Sequence, residues 1–306
     1  MGYQAWGTRA LQGLLDTGHD IALVVTHPAS DDAYESLWDE SVRALAELHR
    51  IPALERATVN DPGTARLLAR HEPELFVMSN WRRWLSPDIY RLARHGAINA
   101  HDALLPAYGG FAPINWAVAA GERETGVTVH LVDEGLDTGD ILVQERVGIG
   151  FEDTATDVYH RTLPLFPELV AKAVGQLESG TAAPVAQDRS AASFFRKRSR
   201  RDIAIDWQRT PTEIYNLVRA QSDPYPSAFT LHHGTELEIL SARLPAGNHR
   251  GTPGRITHPE DGGVVVLCGG NGAQGLAVQT VRPAGGEALA ARDYFERTDG
   301  FLGPSG

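Results

Sequence analysis

The feature that most constrains this chain is an alternation in its first half. Three short apolar stretches, "DIALVVTH" (20–27), "LFVMSN" (75–80) and "GAINAH" (96–101), are separated by segments of helical period such as "ARLLARH" (65–71). Strands rich in branched residues that alternate with amphipathic helices fold into a mainly parallel sheet with helices on its faces. The sequence therefore predicts an α/β, doubly wound domain. "TGVTVHLV" (125–132) and "GDILVQERVGI" (139–149) follow each other too closely for a crossover and predict a hairpin. One long helix is expected over about 154–178. Such domains open on a strand, a glycine turn and a helix. This chain opens at the turn, "MGYQAWG". The expectation is that roughly half a dozen further apolar residues, one strand's worth, precede Met1 in the native protein.

The 306 residues suffice for a second domain. Residues 179–192, "SGTAAPVAQDRSAA", are small, polar and proline-containing, and read as a linker. Short strands separated by turns follow, as in "SAFTLHHGTELEIL", and suggest a small antiparallel barrel. "TPTEIYNLVRAQ" (210–221) reads as a helix capped by Thr210, with Glu213 three residues on.

Charge narrows the partners. Lys plus Arg total 28 against 39 Asp plus Glu, a net −11, which argues against broad nucleic-acid or anionic-membrane binding. A small local basic patch remains compatible with it. Cys268 is the single cysteine, which rules out an internal disulfide and fits a reducing cytoplasm. No apolar run reaches about 18 residues and the start lacks the pattern of a signal peptide, so neither a transmembrane helix nor a leader is expected. Several motifs are decoys. "GNGAQG" (270–275) has the glycine spacing of a dinucleotide site but precedes a strand, so it reads as a hairpin turn. His232–His233 reads as an exposed turn, and the basic run "FFRKRSRRD" (194–202) as a solvated face or an anion contact. No metal-ligand spacing is present.

The chemistry concentrates in "INAHDALLPAYGGFAPINWAVAAGERETG" (98–126). Asn99 and His101 are two apart on a strand, so both side chains leave on one face. At the carboxyl end of a parallel sheet they point into the crevice where α/β proteins bind ligands. Asn offers a donor to an oxyanion, and His an acid or base near neutral pH. Such a His needs a carboxylate partner. Asp137, in "LVDEGLDTGDIL", is the best-placed carboxylate, although on spacing alone a purely structural Asx turn explains it better.

Taken together, "NAHDALLPAYGGFAPINWAVAAGERETGVTVHLVDEGLDTGDIL" resembles the core of the 10-formyltetrahydrofolate-dependent formyltransferases. "DIAIDW" (202–207) and "LVRAQSDPYPSAF" (217–229) resemble their linker-to-barrel junction. The resemblance implies a Rossmann-like formyltransferase domain over 1–178, a linker over 179–198 and a barrel-like (OB-like) domain over 199–306. It implies that Asn99, His101 and Asp137 are the catalytic trio. The co-substrate implied is 10-formyltetrahydrofolate, with no metal. Leu104, Leu105 and Pro106 are expected to wall off water, Trp84 and Leu85 to line a pterin slot, and Asp133 and Gly135 to contact the folate. Trp81 and Arg82 stand where the family more often has Tyr-Gly.

For the acceptor, the loop "THPASDDAYESLWDESVRA" (26–44) carries Asp31, Asp32, Glu35, Asp39 and Glu40 against one cation, Arg43. That balance argues against tRNA and for a small cationic acceptor. Several segments, among them "GYQAWGTRAL" and "NWRRWLSP", resemble formyltransferases of hydroxamate-siderophore biosynthesis, which implies δ-N-hydroxyornithine as acceptor. The alternatives are, in order, an amino-sugar nucleotide, methionyl-tRNA, and hydrolysis of the formyl folate. Nothing in the sequence specifies an oligomeric state.

Overall fold

The computed structural model describes residues 1–30, 38, 40–260, 262–272, 274–295 and 300–303. Two compact units emerge. The first comprises Met1–Pro113, Glu124–Gly148 and Tyr159–Arg196; the second comprises Ile114–Arg123, Ile149–Val158 and Lys197–Gly306.

In chain order the first part runs α1 (Gln4–Asp16), β1 (Val24–Thr26), α2 (Val42–Leu48), β2 (Ala53–Glu55), α3 (Pro62–Ala69), β3 (Phe76–Ser79), α4 (Pro87–Tyr90), β4 (Ala97–His101) and β5 (Gly109–Gly110). Then come α5 (Pro113–Ala120), β6 (Glu124–Leu131), β7 (Ile141–Gly148), α6 (Ala155–Thr162), α7 (Leu165–Glu178) and β8 (Phe194–Phe195). The pairs β1/β2 and β3/β4 are parallel, as the alternation predicts. The hairpin of β6 and β7 joins antiparallel to β4, giving the order β3-β4-β6-β7. Met1–Tyr3 run between β1 and β3. The Gly2 N–H donates to Val25 O at 3.0 Å, and Ser79 N–H donates to Met1 O at 3.1 Å. Burial pushes the Met1 ammonium down to about 5. Met1 and Gly2 also line a cavity of about 840 Å³ together with Leu14, Leu23, Leu75 and Val77.

The long helix expected over 154–178 is two helices. Pro164 has no N–H to continue the first, and the chain restarts with Pro164 as the cap of α7. α1 packs on α7 so closely that a Cβ on Gly13 would meet the carbonyl of Pro167 at 2.2 Å. Ala10 and Leu14 of α1 join Ile98, Ala100, Val127, Val129, Phe166 and Val170 in one apolar core. Ile98 and Ala100 face that core, so Asn99 and His101 are turned away from it.

The second unit contains α8 (Pro211–Ala220), β9 (Ala228–His232), β10 (Thr235–Arg243), β11 (Ile256–Glu260), β12 (Gly263–Leu267), β13 (Gly275–Pro283), β14 (Leu289–Ala290) and α9 (Ala291–Tyr294). Its strands form a curled antiparallel half-barrel, β11-β12-β13-β10-β9, with β14 on β13. Thr210 and Glu213 make the expected capping box of α8. Leu267 pairs antiparallel with Gly275, so "GNGAQG" lies at a hairpin, not at a nucleotide loop. Cys268 is buried, and that burial pushes its thiol up to about 12.

Candidate active site

β4 ends by presenting Asn99 and His101 on one face, beside β6. In that antiparallel pairing Asn99 sits directly opposite His130. The turn between β6 and β7 then brings Asp137 back to the same place. It is a tight turn. Asp133 Oδ1 accepts from the Gly135 N–H at 3.0 Å and from Thr138 Oγ1 at 2.6 Å. A Cβ on Gly139 would meet Leu131 O at 1.8 Å, so only glycine lets the backbone pass. Asp137 itself adopts φ +54°, a left-handed conformation that costs a non-glycine residue about 1–3 kcal/mol.

The four side chains form one cluster. Asn99 Nδ2 donates to Asp137 Oδ1 at 3.3 Å and lies 3.3 Å from His130 Nε2. His130 Nε2 is 3.5 Å from the same oxygen, and His101 Nδ1 is 3.9 Å from Asp137 Oδ2. Gly110 N–H donates to that Oδ2 at 2.8 Å. His101 Nε2 lies 2.9 Å from the carbonyl of Tyr108. A carbonyl only accepts, so Nε2 carries a proton, and the other nitrogen faces a carboxylate. That environment favours the imidazolium.

Electrostatics agree with the geometry. Burial works to lower the His101 pKa, but the charges of Asp137 and Asp102 and the Tyr108 carbonyl outweigh it and raise the value. Burial likewise works to raise Asp137, yet His101, His130 and the Gly110 N–H hold it well below the usual carboxylate range. Burial pushes Asp102 up, although it accepts a hydrogen bond from Trp6 Nε1 at 3.1 Å. Both shifts favour an imidazolium at His101 and a carboxylate at Asp137, with Asn99 as a neutral donor beside them.

The remaining candidates divide. Leu105 is buried and Leu104 half-buried; their loop is pinned by Thr128 Oγ1, which donates to Ala103 O, and by Gln144 Nε2, which donates to Leu105 O. Pro106, Asp133 and Gly135 line a cavity of about 620 Å³ with Thr138, Gln187 and Arg189. Trp84 is half-exposed and its Nε1 donates to Glu134 O at 3.3 Å, near that turn. Leu85 is 2% exposed and packs in the core with Val59, Trp81 and Ile89, so its side chain lines no open slot. His130 was not legible as a site residue. Its only signal is the alternation in "TGVTVH", and its place opposite Asn99 depends on a register that the sequence does not state.

Residues 31–37 and 39 of loop 26–44 lie outside the described residues, among them Asp31, Asp32, Glu35 and Asp39. The described part is internally paired. Glu40 is bound by Arg9, and Arg43 pairs with Glu47 and Glu55. These charges are balanced within the chain and say little about an acceptor.

Comparison with known proteins supplies the remaining findings. A family model described as formyl transferase matches residues 2–174, and one described as formyl transferase, C-terminal domain, matches 197–299. A methionyl-tRNA formyltransferase of Anaeromyxobacter dehalogenans (strain 2CP-1) is 37% identical over 96% of this chain and 94% of its own length. One from Stutzerimonas stutzeri is 36% identical over 96% of this chain and 92% of its own. A solved structure of WlaRD, a sugar 3N-formyl transferase in the presence of dTDP and 5-N-formyl-THF, matches with a TM-score of 0.66 and 19% identity, over 91% of this chain and 95% of that one. These relatives overturn two expectations, the siderophore-type hydroxyornithine acceptor and the argument against tRNA. The first rested on a resemblance of short segments, and the second on the charge of loop 26–44 and of the whole chain, a sum that says nothing of where a polyanion would dock.

Proposed function

The chain belongs to the formyltransferase family, and on that premise we propose that it transfers the formyl group of 10-formyltetrahydrofolate to the amino group of methionyl-tRNA. Folate-dependent formyl transfer is the activity of the family. The acceptor is inferred from relatives at 36–37% identity whose alignments span nearly the whole of both chains. The observation that carries the chemistry is the buried cluster of Asn99, His101, His130 and Asp137 at the end of β4.

In this reading the acceptor amine attacks the formyl carbon, and the formyl oxygen gains negative charge. Asn99 Nδ2 donates a hydrogen bond to that oxygen, and the His101 imidazolium supplies the compensating charge. One such donor is worth about 3–4 kcal/mol in other enzymes. The new C–N bond forms as the bond to folate N10 breaks; the acceptor nitrogen loses a proton and N10 gains one. Asp137 starts ionised beside His101, takes the proton that the acceptor nitrogen loses as the new C–N bond forms, and passes it to folate N10 as that bond breaks, so it ends ionised again. Leu104, Leu105 and Pro106 exclude water that would otherwise hydrolyse the donor. Asp133 and Gly135 border the cavity of about 620 Å³, and this reading assigns the folate to it.

The test is an acceptor panel with 10-formyltetrahydrofolate, read by mass spectrometry on methionyl-tRNA, an amino-sugar nucleotide and free methionine. Formyl gain on methionyl-tRNA alone is the expected result. Gain on the sugar nucleotide alone overturns the acceptor, and folate turnover without any formylated acceptor overturns transfer itself.

A further inference from the structure

The segment after α7, read from its composition as a linker, is stitched to the site along its length. Val185 and Ile141 exchange backbone hydrogen bonds, at 2.8 and 2.9 Å. Ser193 Oγ accepts from the Tyr108 N–H at 2.9 Å, and Ser193 O accepts from the Gly109 N–H at 2.9 Å. Phe194 and Phe195 pair in parallel with Gly109 and Gly110, and the Phe195 ring stacks on Tyr108 at 5.1 Å. Tyr108 and Gly110 are the residues whose backbone holds His101 and Asp137.

Between these two attachments lies Gln187, half-buried. Its Nε2 donates to Asp137 O at 2.9 Å and to Gly139 O at 2.6 Å. A primary amide has two N–H donors, and both are used on the two carbonyls of one turn. That turn is the strained one. Asp137 at φ +54° holds a conformation that a non-glycine residue seldom takes without support from its surroundings. Asp133 and Thr138 fasten the first half of the turn, and Gln187 fastens the second.

We propose that Gln187 is a positioning residue for formyl transfer: by tying together the carbonyls of Asp137 and Gly139 it holds the Asp137 carboxylate against Gly110, Asn99 and His101. The proposal rests on the reading of Asp137 given above. Gln187 touches the cavity wall, but its amide is committed to the turn, so its effect runs through the carboxylate.

The experiment compares Gln187→Ala, Gln187→Met and Asp137→Asn in the full chain. Methionine keeps the side chain's length without its donors, which guards against a packing defect in the alanine variant. A small misplacement of a reacting group costs up to about 100-fold in rate. Both Gln187 variants are expected to lose about tenfold or more in kcat with the KM for formyl folate little changed. NMR titration of labelled His101 is expected to show its pKa moving down in both, towards that of Asp137→Asn. A role confined to stability would move Tm and leave the His101 titration where it is. Unchanged kcat and unchanged titration in Gln187→Met, with Asp137→Asn inactive, overturn the proposal alone. Full activity in Asp137→Asn instead overturns the reading of Asp137 on which it rests.

Discussion

Asp137 is flanked by two imidazoles, an asparagine amide and a backbone N–H, and each of these favours its ionised form. The linkage with pH runs in opposite directions for the two charged partners. His101, raised above its ordinary 6.5, contributes stability that is fully present below that value and lost as pH rises through the raised one. Asp137, depressed below its ordinary 3.8, contributes stability present above that value and lost as pH falls through the depressed one. The stability difference between wild type and Asp137→Asn, from urea midpoints, is therefore expected to be largest between these ordinary values and to shrink at both extremes. A difference flat with pH would show that the pair is not ionised as described. For catalysis, Asp137→Asn is expected to lower kcat by about 100-fold or more while folate binding by fluorescence titration stays close to wild type. Asn99 and His101 were legible as candidates from their two-residue spacing on an apolar strand. His130 was not, because its neighbourhood depends on which residue of β6 faces Asn99.

The elements tell a similar story of local rules overridden by close approach. Gly13 lies inside α1, where alanine would be favoured by about 1 kcal/mol of helix propensity. The Cβ would sit 2.2 Å from Pro167 O, and overpacking of that kind costs about 1–3 kcal/mol. The clash is expected to win, so Gly13→Ala should lower Tm in a thermal melt; a rise would mean that α1 and α7 can move apart freely. The break between α6 and α7 was readable in principle from "LPLFP", since Pro164 cannot continue a helix. The stretch 179–198 makes more contacts than its composition suggests, for a physical reason. Its small polar residues do suit a linker, but a strand needs only backbone groups to pair, and Ser193–Phe195 pair with Gly109–Phe111 by main-chain bonds that composition does not reveal.

At the scale of the whole molecule, the proposed tRNA acceptor requires that an acidic protein bind a polyanion through a local cationic surface. Arg196, Lys197 and Arg201 of the basic run are exposed, whereas Arg200 is paired with Glu236 and lies over the Phe229 ring. Arg196→Glu with Lys197→Glu is expected to raise the KM for methionyl-tRNA and flatten its salt dependence, leaving the KM for formyl folate unchanged. Unaltered tRNA kinetics at several salt concentrations would place the RNA contact elsewhere. Among the described residues no helix is long and apolar enough to cross a membrane. The sequence by itself determined the α/β class, the hairpin of β6 and β7 and an antiparallel second domain, which follow from periodicity and turn residues, and through the resemblance of its motifs the family and the chemical kind of Asn99, His101 and Asp137. Only the tertiary structure decided that His130 joins the cluster, that Leu85 is core, and that Gln187 reaches 50 residues back to brace Asp137. Those are contacts between segments distant in sequence, fixed by strand register and by where a surface segment lies down, and no local pattern encodes either.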